Sequence, residues 1–409
     1  MGQRILIYIF VLLFSIFASA ADQNSNNCNT PKQPNELFWC LVNLTPEVRI
    51  QKADIEVKTA GISQASQMIN PSLSYQTTND DSINGVISEA SLQHTFELGG
   101  KRKARENIAK AHRDISQARL LSELENTTQR VAIRIHRLRQ IITELQLIDE
   151  NIETYQSILK QYKRTGRLNP EQSVSFSIFE IAEEENILKK ESLLQEKNMI
   201  VSEFQSILGV EIDITSDLLP KMKSQWPTVT VESIKGSTKM ILEGEVHLAA
   251  SQQELEKSES WPNLSVGPRI EHVGGNINDT YYGVAVNLPL PVLSLNRGGR
   301  TKASREVEKF KLKETLQTRR LNKYARLLVT SYQASTKAIE RTTRRINIKK
   351  RHHELHKLLK RGIINSALVI ELHREVYDYY NRLHQQELTA VEALWTLYAL
   401  NGSLTKKEI

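Results

Sequence analysis

Three closely spaced histidines are the first residues with chemistry to offer: His352, His353 and His356. His352 and His356 stand four apart and share a helix face, a spacing at which two imidazoles can hold one metal ion. The order His-His-Glu-Leu-His does not set glutamate directly behind the first histidine, so the zinc-protease pattern is absent. On so polar a helix the expected reading is a solvated face, and Glu180, Glu183, Glu184 and Glu185 read the same way. Gly99-Gly100-Lys101 is followed by Arg102 where a phosphate-binding loop needs Ser or Thr, and the upstream glycine of that loop is missing, so nucleotide binding is excluded. No Ser/His/Asp or Cys/His arrangement stands out. The residues point away from an enzyme and imply no cofactor.

The elements that carry these residues explain more. The chain has 409 residues, 25% of them charged and only 6% aromatic, with a formal net charge of +7. Long helices with a narrow apolar seam fit that balance better than a large globular core. Arg4, the apolar run Ile5 to Phe17 and Ala18-Ser19-Ala20 have the form of a secretory signal, residues 1–20, with cleavage expected after Ala20. In an exported chain Cys28 and Cys40 are expected to form a disulfide tying the N-terminal tail, 21–45, to the first helix, with two free thiols as the alternative.

Two repeats follow. In the first, 46–209, a helix begins at Pro46 and is stopped near Met68 by Asn70-Pro71. The alternation Leu73, Tyr75, Thr77 and then Ala90, Leu92, His94, Phe96 predicts a hairpin over 71–98. A helix is predicted over 101–163. Leu124, Val131, Leu138, Leu145, Ile152 and Leu159 keep a seven-residue step, and Ile141, Ile148, Tyr155 and Tyr162 form a second series three residues on. Sustained heptads mean helices lying side by side, and such a helix spans roughly 95 Å. Gly166 to Pro170 turns the chain into a return helix, 170–208. Residues 210–236, broken by Pro220 and Trp226-Pro227, read as a small mixed insert. The second repeat, 237–402, has the same plan: a helix, a hairpin over 262–291, a long helix 301–361, Gly362, and a return helix 366–400 before a tail, 403–409. The strand-to-helix joint FELGGKRKAR (96–105) has its echo in NRGGRTKASR (296–305).

Past the signal no apolar run is long enough to span a membrane as a helix. Spanning strands must close into a barrel, because lipid offers no partner to an open edge, and eight strands is about the minimum. Four strands per chain therefore require several copies.

The chain resembles the TolC-like outer-membrane channels of tripartite efflux and type I secretion systems. The resemblance lies in Asn70-Pro71-Ser72-Leu73, FELGGKRKAR, Pro289-Leu290-Pro291 with Asn296-Arg297-Gly298-Gly299, the glycines Gly166 and Gly362, and the duplicated order of elements. It covers nearly all of the mature chain. It implies a mainly helical fold with a transmembrane β part: a homotrimer whose twelve-stranded barrel in the outer membrane continues into an α-helical barrel crossing the periplasm. It implies as partners a periplasmic adaptor, an inner-membrane pump of the RND or ABC type and outer-membrane lipid, with no nucleic acid. The ELGGKR and PLP…NRGG segments look most like the cobalt–zinc–cadmium branch, whose cargo is divalent metal cations. A type I protein-secretion channel and a periplasmic coiled-coil scaffold are the alternatives.

By the same resemblance Gly166 and Gly362 mark the periplasmic tip that opens and meets the adaptor, with Lys163, Arg164, Arg167, Lys360 and Arg361 beside them. Helix C-termini favour such cations in any case. Glu371, nine residues past Gly362, matches one position of an acidic constriction ring, while the second position is Leu368. Gly99, Gly100, Lys101 and Arg102, with Gly298, Gly299 and Arg300, mark the joint where membrane pore becomes tunnel. Their cations at a helix N-terminus call for anionic head groups or an acidic neighbour.

Overall fold

A computed structural model describes residues 28, 30–82, 84–223, 225–231, 234–276, 278–345, 354, 357, 366–404 and 407–409. The helices are α1 (Pro34–Leu44), α2 (Pro46–Ala65), α3 (Lys101–Arg164), α4 (Pro170–Leu208), α5 (Ser237–Ser258), α6 (Arg297–Arg345) and α7 (Ser366–Leu400). The strands are β1 (Ser72–Asp80), β2 (Gly85–Glu97), β3 (Asn263–Val273) and β4 (Asp279–Asn287). Proline opens α1, α2 and α4, where its missing N–H costs the helix nothing.

The 64 residues of α3 form the spine. Its first part lies between α2 and α5. Ser116 of α3 donates to Asp54 of α2 at 2.7 Å, and a Cβ on Gly244 of α5 would stand 2.8 Å from Ile115. Its second part lies between α4 and α7, with α6 beyond α7. Side by side, the helices run α2–α3–α5–α6 at one level and α4–α3–α7–α6 at the other. The sheet runs β1-β2-β3-β4, antiparallel throughout. The protomer is thus a strip three tiers long. One border is made by β1, α2 and α4 of the first repeat, the other by β4 and α6 of the second.

Val131, Leu138, Ile141 and Ile148 of the heptad series lie in the main core, which extends to Phe204, Trp395 and Phe38, while Tyr155 and Leu159 are buried with Phe179 and Val369 in a second cluster. α1 was not legible in the tail. Its apolar face is only Leu37, Phe38, Leu41 and Val42, all fully buried, too short a period to separate from a polar lead-in. Cys28 and Cys40 are joined by a disulfide that fastens this helix, and both lie in the core. The insert, residues 210–236, is mostly irregular chain. Its described residues hold one 3₁₀ turn, Ser216–Leu218, and otherwise extended chain with Ile214, Leu219 and Val229 buried. Prolines 220 and 227 carry no N–H for a ladder, and the segment instead ends with Lys235 and Gly236 donating to the Leu400 carbonyl.

Candidate functional site

The sheet sorts its side chains by parity. The pairings Leu73↔Leu92, Ala90↔Ile270, His94↔Val266, Ile270↔Tyr282 and Val266↔Val286 put all these residues on one face. That face is water-exposed in the single chain: Leu73 is 76%, Tyr282 80% and Val284 70% accessible. The opposite face of β2 and β3 is half-buried and polar. There the Arg269 guanidinium binds both Glu271 and, at 2.9 Å, Glu89, and Thr95 and Ser265 share a hydrogen bond of 2.9 Å. β1 and β4 each have one neighbour and one open edge. The apolar face and both sheet edges are thus uncovered in the single chain.

Below the sheet, both glycine joints close on the end of α5. Gly99 and Gly100 take the left-handed φ values of 74° and 80° that carry β2 into α3. A Cβ on Gly99 would also meet the Trp261 ring at 2.7 Å. The second joint is built differently from its sequence echo. Asn296 takes the left-handed turn, with φ 51°, and donates through Nδ2 to the Glu256 carbonyl at 3.0 Å and carboxylate at 2.6 Å. α6 therefore starts at Arg297 rather than 301, and Gly298 and Gly299 form its first turn. A Cβ on Gly299 would crowd the Glu256 carboxylate and the Asn296 amide, so those side chains would have to shift. Lys101 meets an acidic neighbour, not solvent. It is buried, with Nζ 2.7 Å from Asn263 Oδ1 and 3.6 Å from Glu259. Arg102 and Arg300 are exposed.

A third feature escaped the sequence reading: a polar seam inside the helical wall. Arg137 donates to Glu144 at 2.9 Å and to Glu196 of α4 at 2.8 Å. His384 of α7 lies 2.6 Å from the same Glu144, and Asn151 donates to Asn186 at 3.3 Å. Glu387 of α7, fully buried, accepts from Gln140 at 2.9 Å and from Arg139, and its second oxygen faces His136 Nδ1 at 3.7 Å. Burial pushes the Glu387 carboxyl up, but the His136 ring, the Arg139 charge and the Gln140 amide outweigh it and hold it well below the usual carboxylate range. Burial holds the His136 imidazole below its ordinary value, against the pull of Glu387. Arg137, Glu144 and Asn151 keep the same seven-residue step as the apolar series. A search for apolar heptads alone passes over them.

The α3–α4 turn carries Gly166 at φ 73° and ends in a capping box, Asn169 accepting from the Gln172 N–H at 2.7 Å. Arg164 and Arg167 are exposed, and Lys163 stands 5.7 Å over the Phe176 ring. Glu371 is exposed and pairs at 2.5 Å with Arg374 one turn on, so its charge is partly met within its own helix. Gly362, Lys360, Arg361, His352, His353 and His356 lie outside the described residues. Among those described, no cluster of three or more His, Cys, Asp or Glu could hold a metal ion, and no helix is long and apolar enough to cross a membrane.

No family model matches the sequence, and no curated protein does. Solved structures do. A crystal structure of CusC, described by its transmembrane channel formation, superposes with a TM-score of 0.68 at 13% identity, over 94% of this chain and 95% of that one. The open-state MtrE outer-membrane channel of Neisseria gonorrhoeae gives 0.69 at 12%, over 91% and 90%. The CmeC outer-membrane channel of Campylobacter jejuni gives 0.67 at 12%, over 91% and 86%. Each is a channel, and each shares only 12–13% identity with this chain. The likeness is one of fold: a mainly helical chain with a four-stranded sheet, in the protomer architecture of the TolC-family outer-membrane channels.

Proposed function

We propose that this chain is the outer-membrane exit duct of a tripartite efflux system, a homotrimer that passes cargo across the periplasm without chemistry of its own. The observation that carries this is the four-stranded sheet with an exposed apolar face and two open edges, set on a strip of helices whose borders are equally open. Three strips give twelve strands, enough to close a barrel in lipid, and the interface repeats head to tail, as a ring requires. The two borders suit one another. At the level of α5, α2 carries exposed Ile50 and Val57 on one border and α6 carries exposed Leu312 and Leu316 on the other. A soluble coiled-coil scaffold, the rival reading, leaves the apolar sheet face in water.

The energy then comes from an inner-membrane pump of the RND or ABC type, reached through a periplasmic adaptor at the α3–α4 tip, where Gly166, Arg164 and Arg167 stand. Divalent metal cations as cargo rest on the ELGGKR and PLP…NRGG residues alone, since channels of the fold match at near-equal identity. Deleting the gene and challenging cells with metals, dyes and antibiotics tests this. Sensitivity confined to divalent metals supports the cation cargo, and sensitivity to dyes and antibiotics alone rules it out.

A further inference from the structure

The segment between β4 and α6 has the least covered side chains of the joint. Leu290 is 71%, Val292 81% and Leu293 99% exposed. Leu288 and Leu290 continue the parity of Tyr282, Val284 and Val286, so this apolar stretch extends the outward sheet face downward past the last ladder pair. Arg297, Arg300 and Lys302 come next, exposed, with no ion pair among the described residues. They stand in the first turns of α6, where the helix dipole opposes positive charge. Arg102 and Lys103 repeat this at the start of α3, and both joints are fixed to the same end of α5 through Glu256 and Glu259. Uncovered aliphatics directly above cations at a helix N-terminus are two unfavourable features, and one surface relieves both: acyl chains over anionic head groups.

We propose that Leu290, Val292 and Leu293, with Arg297, Arg300 and Lys302, form an interfacial anchor for anionic phospholipid in the leaflet facing the helices. The inference rests on the membrane reading of the sheet. Continuity with the apolar sheet face and the charge of the collar select lipid over a second copy, whose exposed Met68 and Ile69 are the other candidate cover.

Photocrosslinking separates them. The full chain carries Leu293→p-benzoylphenylalanine or, as a control within the sheet, Val284→p-benzoylphenylalanine, and is reconstituted in vesicles of equal phosphatidylglycerol and phosphatidylethanolamine. Both positions are expected to yield phospholipid adducts, with phosphatidylglycerol favoured at 293 alone by about fivefold. Arg297→Gln with Arg300→Gln is expected to abolish that preference. A polypeptide cross-link at 293, or equal adducts of the two lipids there, overturns the anchor while lipid adducts at 284 leave the membrane reading standing. No lipid adduct at either position overturns both.

Discussion

Removing the Glu387 carboxylate leaves Arg139, Gln140 and His136 facing one another inside the helical wall with no counter-charge. Glu387→Ala is therefore expected to cost roughly 3–5 kcal/mol, read by chemical denaturation of the helical signal. Glu387→Gln, which keeps a polar side chain in place, is expected to cost less. The seam also fixes a direction with pH. Glu387 is held low in the fold, so its contribution is full above the ordinary carboxylate range and is lost as pH falls. His136 is held low as well, so below its ordinary value the unfolded chain takes up the proton first and stability drops further. Lys223, facing Glu387, is itself depressed by burial. Its burial penalty is constant through the acid range and is relieved only on the alkaline side, leaving the acid trend intact. Stability measured from pH 7.5 to 3 is expected to fall, first through His136 and then, below the ordinary carboxylate range, through Glu387, and a flat profile argues against the seam. At the collar, Gly99→Ala forces a Cβ into Trp261 at a left-handed φ, whereas Gly100→Ala meets nothing within 4 Å. The first is expected to cost more than the second by about 1–3 kcal/mol. The residue types at the first joint were legible because glycine at a turn has few other uses. The shift of the second turn to Asn296 was not, since asparagine also tolerates that conformation.

At the scale of elements, period made the long helices readable. A seven-residue step held over α3 admits one structure, and the burial of Val131, Leu138 and Leu159 follows from it. α1 shows the opposite limit, because eleven residues supply too few turns for a period. Its staple is testable: Cys28→Ser with Cys40→Ser is expected to lower stability by roughly 2–4 kcal/mol, with early loss of protection in α1 by hydrogen exchange. The Asn169–Gln172 capping box ties the α3–α4 turn. Asn169→Ala is expected to cost about 1 kcal/mol and to loosen exchange locally, without changing assembly. The polar seam between α3, α4 and α7 was hidden for a simple reason: polar residues at a heptad position read as solvated until the neighbour that covers them is known.

For the whole molecule, the strip of three tiers is the central fact, with β1, α2 and α4 on one border and β4 and α6 on the other. Duplication in sequence announced two halves, but not that each half would supply one border. That depends on which helix lies beside which, a matter of long-range packing that no local pattern encodes. A strip with matching borders is expected to close on copies of itself, and the sheet fixes the number through the strands a barrel needs. Charge introduced on the α6 border by Leu316→Glu with Leu327→Glu is expected to stop closure while leaving the helices folded, as circular dichroism would register. The most direct test of the account is the mass of the complex extracted in detergent from the outer-membrane fraction, by light scattering with the detergent contribution removed. Three copies per particle, dissociating on heating, is the expected result. A monomer recovered from the soluble fraction would contradict it.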